Sequence, residues 1–142
     1  MSLISLALNV IWILFGGLEL ALGWLLAALI MAITIIGLPW AHAALTLAFY
    51  TLAPFGRTVV RRDLLEGHET LGTGPLGTLG NIVWLVLAGW WLALGHLLIA
   101  LGWAVTIIGL PFAWAHLKLA GLSLMPVGMV VVSNESEAAR GR

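Results

Sequence analysis

Apolar residues run almost unbroken from Leu3 to Ile36, stop at Gly37-Leu38-Pro39, and resume from about Trp40 to Ala53. The same rhythm returns from Asn81 to Ile108, at Gly109-Leu110-Pro111, and from about Phe112 to Met125. Each first stretch exceeds the roughly 20 residues a helix needs to cross a bilayer, which predicts a tilted helix or one that starts at the interface. Each second stretch is short for a full crossing and predicts a helix in thinned bilayer, one extended into the turn, or a re-entrant one. Glycine ends the first helix and proline suits the first turn of the second, so Gly37, Pro39, Gly109 and Pro111 mark two repeat turns.

The recurrence is a duplication. Residues 9–60 reappear without a gap as 81–132, and more than half of the aligned positions are identical. Thr34 to Pro39 returns unchanged as Thr106 to Pro111, and Pro54-Phe55-Gly56 returns as Pro126-Val127-Gly128. The β-branched runs Thr58-Val59-Val60 and Val130-Val131-Val132 follow, and favour strands that pair as a small cytoplasmic ribbon or stay extended. The expected fold is an all-α membrane protein of two tandem, parallel helical-hairpin repeats with about four membrane segments. Repeat one takes residues 1–62, a Gly/Thr-rich linker 63–80, repeat two 81–133 and a polar tail 134–142.

Composition removes the soluble alternatives. The chain is 62% hydrophobic and 8% charged, against about 25% charged in ordinary soluble proteins. Its formal net charge is zero with 6 basic and 6 acidic residues, so there is no nucleic-acid footprint. It contains no cysteine. No basic residue precedes the first apolar run and no cleavage signature closes it, so that run is expected to be an uncleaved membrane segment. Arg57, Arg61 and Arg62 lie between the repeats, and Arg140 and Arg142 at the C-terminus. Two spans per repeat would put all five on one side, cytoplasmic by the positive-inside rule, together with both termini. The copies would then run parallel about an axis along the membrane normal.

The pattern Asn-x-x-Trp, Leu-Gly, Thr-Ile-Ile-Gly-Leu-Pro, Lys-Leu-Ala and Pro-x-Gly resembles the YccF family of bacterial inner-membrane proteins. That family is built from copies of an inner membrane component domain. The elements stand at Asn81, Trp84, Gly95, Ile107 to Pro111, Lys118-Leu119-Ala120 and Pro126-Val127-Gly128. Repeat one carries them at Asn9, Trp12, Gly23, Ile35 to Pro39 and Pro54-Phe55-Gly56. The chain departs from the pattern at Thr46 of repeat one, where the lysine stands in repeat two, and at Met125 of repeat two and Ala53 of repeat one, where an aromatic is expected before the proline. The resemblance implies a multi-pass protein of the bacterial inner membrane and transfers no activity.

Several side chains are candidates for more than lipid contact. Gly17, Ala21, Trp24, Ala28 and Ala32 fall on one helical stripe, and Gly89, Ala93, His96, Ala100 and Ala104 on the equivalent one. Small residues so spaced let helices approach closely, within the chain or between subunits. Glu19 points away from that stripe, in mid-helix, where a carboxylate costs about 2.5–3.5 kcal/mol. It reads as a pore-lining or proton-linked group, or as a neutral carboxyl in a protein contact, with His96 as a candidate partner. His42 and His116 sit at non-equivalent positions on the short helices and lack the spacing of a metal site. Lys118 can snorkel to the arginine side. Trp12, Trp84, Trp40 and Trp114 are expected near the interfaces, and Trp24, Trp90, Trp91 and Trp103 between helices.

No catalytic, metal or cofactor constellation emerges. Gly72, Gly74 and Gly77 match a dinucleotide fingerprint, but Pro75 lies inside the match and an apolar helix follows it. His68-Glu69 lacks the second histidine of a zinc protease. The expected partners are membrane lipids, further copies of the chain, and a larger membrane protein. The expected role is a structural or accessory membrane component, with a homo-oligomeric pore as the alternative and no enzyme activity.

Overall fold

The computed structural model of the protein describes residues 2–140; Arg142, expected among the cytoplasmic arginines, lies outside them. Helix α1 (Leu3–Trp12) opens on Ser2, whose hydroxyl accepts the Ser5 N–H. It passes through a wide π-type turn at Ile13–Gly17 into α2 (Leu18–Ile33). Together they form one 31-residue rod, Leu3–Ile33, about 46 Å long at 1.5 Å per residue. The rod breaks at Gly16, where φ is 125°, a value only glycine adopts without strain. Helix α3 (Leu38–Leu52), strand β1 (Arg57–Arg61) and the short α4 (Arg62–Glu66) complete the first copy. The second copy has α5 (Gly74–Trp84), a π-type turn at Leu85–Gly89, α6 (Trp90–Ala104), α7 (Leu110–Leu124), β2 (Met129–Ser133) and α8 (Asn134–Arg140). Its rod, Gly74–Ala104, also has 31 residues. It therefore begins inside the expected 63–80 linker, with Pro75 in its first turn.

Each copy closes as a hairpin by the same bonds. At the turn, the Thr34 hydroxyl donates to the Met31 carbonyl (2.8 Å) and accepts the Gly37 N–H (3.3 Å). Thr106 repeats this with Trp103 and Gly109. A Cβ at position 109 would collide with the Trp103 carbonyl, so the turn requires glycine. At the open end, the Asn9 side chain donates to the Phe55 carbonyl and accepts its N–H, both at 3.0 Å. Asn81 holds Val127 in the same way at 3.2 and 3.0 Å. Trp12 donates to the Thr51 carbonyl and Trp84 to the Ser123 carbonyl, each at 2.7 Å.

The copies do not run parallel. Phe15 meets Trp103 (centroids 5.9 Å apart), and Trp24 stacks on Trp84 (5.2 Å). Between these, Gly16 faces Ile99, Leu20 faces Gly95, and Gly23 faces Leu92. As position rises along the first rod, its partner falls along the second, so α2 and α6 are antiparallel. The first turn, through Ile36, accordingly borders Ile82 and Val86 of the second rod. This corrects the expected parallel arrangement. Two helical runs per repeat would return the chain to its starting end, but β1 supplies a third run. It carries the chain from Phe55, at the open end of one hairpin, to the open end of the other.

The β-branched runs do pair. β1 and β2 form a two-stranded antiparallel ribbon in which Val59 faces Val131 and Arg57 faces Ser133. Val59 and Val131 are repeat equivalents, so a pseudo-two-fold axis passes between them. The same axis passes between Trp24 and His96, equivalents that touch at 3.2 Å. It runs across α2 and α6, from the ribbon into the core.

Burial sorts the small-residue stripes. Gly17, Ala21, Ala28, Gly89, Ala93 and Ala100 are buried within the single chain, Ala32 is half-buried, and Ala104 is exposed. Trp12 and Trp84, expected near interfaces, are fully buried, whereas Trp90, expected between helices, is 58% exposed. An indole N–H that finds a backbone carbonyl, as Trp12 and Trp84 do, no longer needs interfacial water.

Candidate functional site

The interior crossing point carries a short polar chain. Trp24 can only donate, and its Nε1–H reaches His96 Nε2 at 3.2 Å. Neutral His96 therefore carries its proton on Nδ1, which lies 3.2 Å from Nδ1 of His116. His116 accepts there and keeps its own proton on Nε2, a buried atom with no partner among the described residues. An orphaned donor of this kind costs about 1–3 kcal/mol. Its surroundings are the Trp12 ring, stacked on His116 at 4.2 Å, and the broken helix at Gly16. The repeat equivalents of His96 and His116 are Trp24 and Ala44, so this chain of bonds exists once, where the two copies differ.

Glu19 does not join it. The carboxylate lies on the exposed face of α2 between exposed Leu18 and Leu22, while His96 is fully buried among helices. His42 is exposed on α3, where Thr46 Oγ1 donates to its carbonyl at 2.9 Å. Lys118 is exposed on α7, its ammonium 5.7 Å from the centroid of the Trp114 ring. Of the five intramembrane candidates, only His96 and His116 meet. Among the described residues, no three His, Cys, Asp or Glu side chains converge as metal ligands would.

The charges gather at the ribbon. Arg57 and Arg61 are its exposed ends, Arg62, Asp63, Glu66 and Glu69 follow β1, and Glu135, Glu137 and Arg140 follow β2. Arg61 pairs with Asp63, and Arg62 with Glu66 at 3.5 Å. The hydrogen bond from Arg61 holds the Asp63 carboxyl below its ordinary range. Lys118 borders the same face, in a cleft it shares with Arg57 and Asn134. Among the described Asp, Glu, Lys and Arg residues, Glu19 is then the one away from the ribbon side.

Two long apolar rods, an internal duplication and charges that, Glu19 apart, gather on one face define an integral-membrane type of helical protein. The family model for the YccF "Inner membrane component domain" matches residues 7–57 and again 79–129. The chain belongs to that family. "Inner membrane protein YccF" of Escherichia coli (strain K12) is 38% identical to it over 137 residues, covering 94% of this chain and 91% of the relative. The protein of the same name in Shigella flexneri matches with the same identity and coverage. No solved structure matches the chain.

Proposed function

We propose that the protein is a non-conducting structural or accessory component of the bacterial inner membrane, embedded with its ribbon face toward the cytoplasm. The observation carrying this reading is the content of the axis. Trp12, Trp24, Trp84, His96 and His116 are each at most 1% exposed, so rings fill the place where a single-chain conduit would run.

The placement follows from magnitudes. If α2 and α6 stood upright, the ribbon and the middle of α7 would lie at hydrocarbon depth, with exposed Arg57, Arg61 and Lys118 in lipid. Each would cost about 2.5–3.5 kcal/mol at the bilayer centre. With the pseudo-two-fold axis along the membrane normal, those charges reach water and only Glu19 stays among apolar neighbours. The exposed turn residues Ile35, Ile36, Ile107 and Ile108 then contact lipid, and the arginine-bearing face satisfies the positive-inside rule. The first and last described helices, α1 and α8, follow the ribbon side, because Asn9 holds Phe55 and the Asn134 N–H reaches the Gly56 carbonyl. Glu19 on the lipid face favours contact with a second protein, either another copy or a larger partner.

Two measurements test the proposal. Proteoliposomes carrying the pure protein should pass no ions above the empty-vesicle rate; conduction that Glu19→Gln abolishes would establish the oligomeric pore instead. Single cysteines in this cysteine-free chain should report placement with a membrane-impermeant maleimide. Thr58→Cys should label from the cytoplasmic side alone, and Ile36→Cys and Ile108→Cys from neither side. Labelling of Ile36→Cys and Ile108→Cys from opposite sides would establish upright, inverted copies.

A further inference from the structure

We infer that Arg57 and Lys118 form a binding site for the phosphate headgroup of an anionic phospholipid. The inference rests on the membrane placement proposed above. The two cations come from different copies: Arg57 begins β1, and Lys118 lies in the middle of α7. The inverted arrangement brings them to one cleft of about 220 Å³, closed by Tyr50, Gly56, Trp114 and Asn134. Among the described residues neither cation has a carboxylate partner, unlike Arg61 and Arg62. Two like charges held in one concavity without a counterion attract an anion. A phosphate diester matches arginine by paired N–H donors and lysine as a point charge.

The neighbourhood selects a lipid over a free anion. The cleft sits where the charged ribbon face meets the apolar surface, beside exposed Phe49, Trp114 and Leu117. A headgroup in the cleft leaves its acyl chains along those side chains. Trp114 and Tyr50 supply the amphipathic rings favoured at headgroup level. The duplication provides an internal control. The equivalent cleft on the other copy has Met129 in place of Arg57, Thr46 in place of Lys118 and His42 in place of Trp114. The cation that lines it, Arg62 in place of Asn134, is paired with Glu66, and the linker residues Thr70, Leu71 and Gly72 line it too. One chain therefore carries one such site.

The test uses the full-length protein, delipidated in detergent and offered phosphatidylglycerol, phosphatidylcholine or inorganic phosphate, with retention read by native mass spectrometry. The protein should retain phosphatidylglycerol in preference to phosphatidylcholine, one molecule per chain, and inorganic phosphate should not displace it. The double variant Arg57→Gln, Lys118→Gln should lose roughly 25-fold in that preference, about fivefold per charge. The charge-keeping pair Arg57→Lys, Lys118→Arg should retain most of it, as should Arg62→Gln. An unchanged preference in the double variant overturns the site. Displacement by inorganic phosphate assigns the cleft to free anions and overturns the lipid. Near-UV circular dichroism of each variant reports folding. If the neutral pair is misfolded, the single variants carry the test, each expected to lose about fivefold. Because retention is measured in detergent, its outcome is separable from the ion-flux and labelling results.

Discussion

Asn81→Ala probes the device that fixes each hairpin's open end. The asparagine spends both halves of its amide on one residue, donating to the Val127 carbonyl and accepting the Val127 N–H. Alanine removes both bonds and leaves two backbone groups without partners beside the glycine that starts the ribbon. Polar contacts in membrane proteins average about 0.6 kcal/mol each and reach about 1.7, so the pair should be worth about 1–3 kcal/mol. Asn9→Ala should cost at least as much, because Asn9 is only 4% exposed and makes the same pair with Phe55. The two losses should add, since the clamps lie at opposite ends of antiparallel rods and share no partner. Asn81→Asp is the sharper variant. It keeps the shape but sets an acceptor against the Val127 carbonyl, so it should fall below alanine at neutral pH. It should recover in acid, where a protonated carboxyl can donate. Reversible unfolding in mixed micelles, followed by tryptophan fluorescence, measures all four proteins. An Asn81→Asp protein as stable as the parent at neutral pH would refute the two-bond clamp.

Four further outcomes are expected. Gly17→Ala and Gly89→Ala should each destabilise by about 1–3 kcal/mol through overpacking, because the new Cβ meets the Trp12 ring in one and the Ser123 carbonyl at 2.7 Å in the other. Gly102→Ala and Gly121→Ala, with nothing within 4 Å, should gain about 0.4–1 kcal/mol in the same unfolding assay. A short bis-maleimide should join Ile36→Cys to Val86→Cys and leave Ile36→Cys and Ile108→Cys unjoined on gels; parallel copies would give the reverse. Asp63 should titrate below the usual aspartate range by NMR and return to it in Arg61→Gln. Because its folded pKa is lowered, its contribution is present above the unfolded value and lost as pH falls through the folded one.

The local elements were legible because their signals are covalent and close in sequence. Gly37-Leu38-Pro39 and its copy specify the turns, and Thr58 to Val60 and Val130 to Val132 specify strands. The relative sense of the copies was not. Counting apolar runs gives two per repeat and so parallel copies, whereas a five-residue strand at Arg57–Arg61 supplies the odd run that inverts them. The tryptophans were misassigned for a different reason. Hydrocarbon and protein interior are equally apolar, so periodicity cannot say which of the two a ring such as Trp12 or Trp90 will meet. A buried acceptor at the right height favours the interior: the Thr51, Ser123 and Leu71 carbonyls receive Trp12, Trp84 and Trp40, and His96 receives Trp24.

The pairing of His96 with His116 was hidden by the same inversion, yet the duplication contained a signal for it. Positions that agree between the copies build what both hairpins need: Asn9 and Asn81, Trp12 and Trp84, Gly37 and Gly109. Positions that differ are free of that constraint. Trp24 with His96, Ala44 with His116, Gly16 with Ala88, Arg57 with Met129 and Thr46 with Lys118 all differ. Folding in inverted sense brings these to two places. His96, His116, Trp24 and Gly16 meet at the crossing of the rods, and Arg57 and Lys118 meet at the ribbon's edge. In a parallel pair Arg57 would lie level with Met129, and Lys118 with Thr46, leaving each cation alone. The chemical individuality of this nearly repeated chain is therefore a product of the sense in which its halves pack.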